Sequence, residues 1–186
     1  MQHFTLNGTS RKVGNKAVIK EFRSKGLVPC NLYGCGVENL LFTVDAKELK
    51  NLTDTPASYI VDLVIDGDKK FTAILHELQW HPVSDICLHV DFLAVNEQKP
   101  ICINVPLEVS GHSVGVQKGG KFYQSAREIR ISALMANLPD KVTVDISALD
   151  LDKKIRAEIK VDNATVVTDK DTIICGVKST RNSSAA

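Results

Sequence analysis

The chain has 186 residues, 24% charged, 44% apolar and 5% aromatic, with 23 Lys and Arg against 22 Asp and Glu for a formal charge of +1. That size suits one large or two small domains with real cores and excludes a disordered chain. No apolar run nears the roughly 18 residues of a membrane span, and the opening MQHFTLNGTSRK lacks the apolar stretch of a signal peptide, so a soluble cytoplasmic protein is expected.

Taken in order, the first predicted element is a helix over 15–25, with Gly26 as its C-terminal stop. Lys16, Lys20 and Arg23 fall at i, i+4 and i+7 on one stripe, while Val18, Ile19 and Phe22 should face the core. Arg11 and Lys12 stand just before it. Residues 1–37 carry +5, 38–98 carry −7 and 99–186 carry +3, so near-neutrality hides a local basic patch. Clustered like charges call for a polyanion or a plainly solvated helix face.

Strands are predicted over 28–33, 40–44, 59–65, 71–80 and 88–95, with Asp66-Gly67 as a hairpin turn. A second helix starts at Asp45, where D-A-K-E puts Glu48 at the capping-box position. In the 88–92 strand, period 2 sets His89 and Asp91 on one face and Leu88, Val90 and Phe92 on the other. The strand before it should end with Leu78 and Trp80 inward and Glu77, Gln79 and His81 outward. If the two pair, Gln79, His81, His89 and Asp91 form a polar patch of groups able to read base edges or riboses. An ordinary solvent face, a His-His-Asp metal site and an acid/base pair remain open alternatives.

The polar run at 96–100 reads as a linker. Beyond it ICINVPLEV, EIRISALM, KVTVDIS, KKIRAEIKV and TIICGV have almost no helical periodicity and predict an all-β domain. The run GHSVGVQKGGK at 111–121 fits no phosphate-loop pattern and reads as a flexible loop between strands. Five cysteines without a secretory signal read as reduced, half-buried small hydrophobes; Cys30 and Cys35 have no second pair to complete a zinc site. No nucleophile motif accompanies the Ser, His and Asp residues, so no catalytic residue, metal site or cofactor is assigned.

The blocks R-K-x-G-x-K, K-x-x-F-R, K-G-x-V-P-C-x-L-Y-G, L-Q-W-H-P and L-H-V-D-F-L resemble the bacterial 5S rRNA-binding family of large-subunit ribosomal protein number twenty-five. VPLEVSGHSVGVQKGGKF and L-P-D-K-V-T-V-D-I-S-A-L extend the resemblance to its two-domain form, the general stress protein CTC, over about residues 3–178. The resemblance implies a mainly β, β-rich α+β chain. It implies a six-stranded N-terminal barrel with short helices over 1–96 and a C-terminal β domain over 97–178; the remaining 179–186, ending in the small polar run RNSSAA, reads as a disordered tail. It implies a non-enzymatic component of the cytoplasmic ribosome that binds 5S rRNA through the first domain, with neighbouring large-subunit rRNA and ribosomal proteins as further partners. No membrane and no small-molecule substrate are expected. By position, Arg11, Lys16, Lys20 and Arg23 look like the phosphate-contacting set, with Lys12 beside them. Tyr33 resembles the family tyrosine at the RNA surface, and Gln79, His89 and Asp91 look like the groove-reading set. The chain departs from the family at Glu21, where a second basic residue is common, at Ile19, and at Asn31, where an aliphatic residue is usual. The alternative is a stress-related protein-interaction module acting through the C-terminal β domain.

Overall fold

The computed structural model describes residues 2–55, 57–96, 98–161 and 163–181. Its contacts fall into two compact units, Met1–Lys99 and Pro100–Ala186.

The first unit runs β1 (Gln2–Ser10), α1 (Lys16–Ser24), β2 (Leu27–Gly34), β3 (Val37–Asp45), α2 (Ala46–Thr53), β4 (Tyr59–Ile65), β5 (Lys69–Trp80) and β6 (Cys87–Ala94). The strands close into a barrel in the order β1-β3-β2-β6-β5-β4. Closure leaves no free sheet edge and sends alternate side chains inward. Leu6, Cys30, Leu32, Phe42, Leu63 and Phe92 fill the interior at 0% exposure, and the Phe42 and Phe92 rings sit 5.8 Å apart. Helix α2 adds Leu49 and Leu52 to this core. Gly8 is required by packing, since a Cβ there would meet the Phe42 ring at 2.7 Å.

Five of the six barrel strands are legible from composition; β1 is the one missed. It pairs in parallel with β4, from Gln2↔Tyr59 to Gly8↔Ile65. Its alternation of Phe4, Leu6 and Gly8 against Thr5 and Asn7 is real but weak, because glycine and asparagine disguise it. The Asp66-Gly67 turn joins β4 to β5 with both residues at positive φ, 55° and 79°, which suits Asp and Gly. Asp45 caps α2 by accepting from the Lys47 amide at 2.8 Å.

Helix α1 corrects one expectation. Asn15 caps it, accepting from the Val18 amide at 3.1 Å, and Gly26 ends it at φ 76°. None of its residues is fully buried, and Val18 is 36% exposed. Val18, Ile19 and Phe22 therefore do not enter the core. The barrel is closed by its own strands, so α1 can only lie outside it.

The second unit holds a four-stranded sheet, β10-β7-β9-β12, and a three-stranded one, β11-β13-β8. Its elements are β7 (Ile101–Ser110), α3 (Val114–Gln117), β8 (Lys121–Gln124), β9 (Glu128–Ala133), β10 (Val142–Asp145), β11 (Lys154–Arg156), β12 (Thr165–Val166) and β13 (Ile173–Lys178), with a 3-10 turn at Met135–Asn137. The KKIRAEIKV segment yields only the short β11. The 111–121 run is not a flexible loop: it contains the single turn α3 and leads into β8. Ser113 is buried and donates to the Leu149 carbonyl at 2.5 Å, the Gly115 amide donates to the same carbonyl at 2.9 Å, and Lys118 pairs with Asp150. Within the expected tail, the Ser179 amide bonds Asp152 and the Thr180 hydroxyl donates to the Gly119 carbonyl; residues 182–186 lie outside the described residues.

All five cysteines are free. Cys30 and Cys175 are buried, but Cys35 and Cys102 are exposed, so the half-buried expectation holds for Cys87 alone. Burial raises the Cys30 thiol far above its usual range and makes it inert.

Candidate nucleic-acid interface

The candidate site is the outer surface of β2, β6 and β5. In β6, Val90 and Phe92 are buried while His89 and Asp91 face out. Residues directly opposed across a ladder share a face, so the register reads out the site. Asn31 of β2 lies beside Asp91. On the other flank Glu77 stands opposite Asp91 and Gln79 opposite His89. Gln79, His89 and Asp91 are thus brought together as the sequence pattern requires, with Glu77 in the same row.

His89 Nδ1 lies 3.3 Å from Asp91 Oδ1, with both side chains about three-quarters covered. Burial lowers the His89 pKa; the Asp91 carboxylate opposes that shift, and Arg11 and Arg23 reinforce it. The imidazole is therefore neutral at pH 7, and one ring nitrogen remains an acceptor. Two cationic residues near a neutral histidine and a carboxylate make a face with both donors and acceptors.

Tyr33, next to this row on β2, has its hydroxyl 3.2 Å from His76 Nδ1. Burial, then the Asp91 and Glu77 carboxylates, raise its pKa and keep the hydroxyl a donor. His76 was missed by the sequence pattern. It sits at a register shift between Leu75 and Glu77, and an extra residue in a strand is invisible to period-2 counting.

The basic set divides by what each residue touches. Arg23 donates from Nε and Nη2 to the Leu88 carbonyl at 3.2 and 2.8 Å. Pro29, with no N–H to offer, stands in β2 one residue before its ladder with β6 begins at Cys30. Arg11 is part-buried, with its amide on the Leu41 carbonyl and Nε 3.4 Å from the Phe42 carbonyl. Lys12, Lys16 and Lys20 are exposed and make no ion pair among the described residues. Glu21 is matched by Lys25 at 2.7 Å, one turn on, and that bond lowers its pKa. The departure at Glu21 is therefore neutralised within the helix.

Two expectations for this face need correction. Trp80 is not buried in the core; it is 43% exposed. A second register shift, between Gln79 and Trp80, sets Trp80 opposite Cys87 at the end of β5. His81 does not join the reading row, because its Nδ1 accepts from the Val83 and Ser84 amides at 3.3 and 3.2 Å and holds the β5–β6 turn. That nitrogen is engaged and unavailable to a metal. Among the described residues, no three potential ligands cluster.

The Ribosomal L25p family model matches residues 6–92, and the model for the C-terminal domain of ribosomal protein TL5 matches residues 100–181. The chain is similar along its length to the large ribosomal subunit protein bL25 of Bacteroides fragilis, 41% identical over 97% of this chain and 94% of the relative. The protein of the same name from Porphyromonas gingivalis is 36% identical over 97% and 95%. That of Christiangramia forsetii is 33% identical over 98% and 83%.

Proposed function

From the chain's membership of the ribosomal L25p family, with a second half of the TL5 C-terminal type, we propose that its N-terminal unit binds 5S rRNA. At the coarser level the chain is a large-subunit ribosomal protein and not an enzyme. The finer reading rests on one juxtaposition. Helix α1, with Lys16 and Lys20 in no ion pair among the described residues, is fastened through Arg23 to the strand that carries His89 and Asp91.

That arrangement suits folded RNA. The deep groove of A-form RNA hides its base edges, so recognition uses the wide shallow groove, irregular loops and phosphates. In this reading Arg11, Lys12, Lys16, Lys20 and Arg23 meet phosphates. Tyr33, Gln79, His89 and Asp91 meet riboses and base edges. Asp91 is an acceptor for an exocyclic amine, as carboxylates are for cytosine. The −7 charge of residues 38–98 discourages binding outside the basic helix. The domains of the reading are 1–96 for RNA and 97–178 for contacts with neighbouring rRNA or ribosomal proteins.

The test is a titration of the full chain with 5S rRNA and with a regular RNA duplex of equal length at several salt concentrations. Tighter, salt-sensitive binding to 5S rRNA is expected. Equal affinity for both RNAs, or affinity independent of salt, would refute the reading.

A further inference from the structure

The three-stranded sheet of the second unit gathers lysines round one aromatic ring. In β13, its central strand, Gly176 stands between Tyr123 of β8 and Lys154 of β11, and Lys178 stands opposite Lys121. Opposed residues share a face, as do residues two apart on a strand. The one register shift between β11 and β13 comes after these pairs, at Ile155 and Arg156. Lys121, Tyr123, Lys154, Gly176 and Lys178 therefore lie on one face, while Cys175 and Val177 turn into the core at 0% and 1% exposure.

Atomic contacts agree. A Cβ on Gly176 would stand 2.7 Å from the Tyr123 hydroxyl oxygen and 2.9 Å from the ring carbon that bears it, so the ring lies across the bare glycine. The Lys178 ammonium sits 4.9 Å from the centre of the same ring. A cation is attracted to the face of a tyrosine, and Tyr123 thus steadies Lys178 above the sheet.

Charge selects the occupant. Strands β8, β11 and β13 contain no Asp or Glu. Of the acids next in the chain, Asp150 is taken by Lys118 and Asp171 by Arg156, and Asp152 accepts from the Ser179 amide. Lys121, Lys154 and Lys178 are exposed and make no ion pair among the described residues. Lys121 directly opposite Lys178 is a like-charge pair, which costs stability in the free protein; a bound anion relieves that cost. Lysines on edge strands also discourage edge-to-edge pairing, which accounts for Lys121 and Lys154 but not for Lys178 on the central strand. The outer strands are two strand spacings apart, roughly 10 Å, so positive charge is offered over a length and not at a point. A run of backbone phosphates fits that better than a single small anion.

We propose, on the reading that residues 97–178 touch neighbouring rRNA or ribosomal proteins, that this face binds the phosphate backbone of large-subunit rRNA other than 5S rRNA. Lys121, Lys154 and Lys178 supply the charge, and Tyr123 is a positioning residue for Lys178.

The full chain, first saturated with 5S rRNA to occupy its N-terminal unit, is titrated at several salt concentrations with protein-free large-subunit rRNA lacking 5S rRNA. The triple variant Lys121→Gln, Lys154→Gln, Lys178→Gln should show a salt slope lower than wild type by about three counterions, with 5S rRNA affinity and thermal melt retained. Tyr123→Leu keeps every charge and should weaken rRNA binding about two- to fivefold; Tyr123→Phe should bind like wild type. In assembled large subunits the three lysines should resist an amine-acylating reagent that modifies them in the free chain. A triple variant with the wild-type slope, or lysines that stay reactive in the subunit, overturns the site. Lysines protected in the subunit while the slope is unchanged overturn it in favour of an acidic protein partner. Wild-type affinity in Tyr123→Leu removes the ring from it. If the wild type fails to bind 5S rRNA, the N-terminal reading falls alone, since the slope difference is read on the other rRNA.

Discussion

The Arg23 guanidinium is bonded twice to the Leu88 carbonyl, at 2.8 and 3.2 Å, and so ties the last turn of α1 to the strand that carries His89. Lys20 and Lys16, one and two turns earlier, make no ion pair within the described residues. Charge of the same sign thus has two uses on one short helix. Arg23 orients the helix as well as adding charge to the face; the lysines only add charge and are free to meet a ligand.

The division predicts separable phenotypes. Lys16→Ala and Lys20→Ala should leave the melting temperature unchanged and each reduce the salt slope of RNA binding by about one counterion. Arg23→Ala should lose about 1 kcal/mol of stability through its hydrogen bonds, and weaken binding as well. Thermal melts beside salt-dependent titrations decide it. An Arg23→Ala variant as stable as wild type would remove the orienting role.

Much of this was legible in the chain. The stripe of Lys16, Lys20 and Arg23 and the pairing of His89 with Asp91 follow from periods of 3.6 and 2, which the backbone obeys locally. What period counting missed lies at the register shifts. His76 and Trp80 each sit where β5 slips against β6, and no local pattern announces a slip set by the partner strand. Strand β1 escaped because Gly8 faces the core in place of an apolar side chain, admitted only by the Phe42 ring above it. Loop 111–121 was misread for a related reason: its glycines serve close packing rather than flexibility.

His89 should make the stability of the first unit depend on pH. Burial, with Arg11 and Arg23, holds its folded pKa below the ordinary value near 6.5, while Asp91 opposes the shift. The unfolded chain therefore takes up the proton first. The stability tied to the neutral ring is complete above pH 6.5 and is lost as pH falls from there through the lowered folded value. Melting temperatures of wild type and His89→Gln, compared from pH 7.5 to 5, should converge or cross as the wild type loses this share. Parallel curves would show that the ring titrates alike in both states.

Asn31 presents a different kind of cost. Its Oδ1 is buried without a hydrogen-bond partner, on the strand that flanks Asp91. A buried acceptor left unsatisfied costs about 1–3 kcal/mol, and valine suits an outward strand position half-covered by its neighbours. Asn31→Val should raise the midpoint of denaturant unfolding by the equivalent of about 1 kcal/mol. An unchanged or lowered midpoint would mean that the amide contributes through its nitrogen more than its oxygen costs.

The two units allow the RNA assignment to be tested from the far side of the chain. In the second unit, a Cβ on Gly115 would stand 2.7 Å from the carbonyl carbon of Asp150 and the amide nitrogen of Leu151, both backbone atoms. Rotating a side chain cannot relieve that clash, so the turn carrying the Ser113–Leu149 bond must move. Gly115→Ala should destabilise the second unit by about 1–3 kcal/mol, the usual range for overpacking. The first unit has its own closed barrel and core, so its melting transition and the affinity for 5S rRNA should stay at wild-type values. Calorimetry that resolves the two transitions, run beside an RNA titration, measures both. If Gly115→Ala weakens RNA binding while the first transition is unmoved, the second unit takes part in RNA recognition and the assignment to residues 1–96 is too narrow.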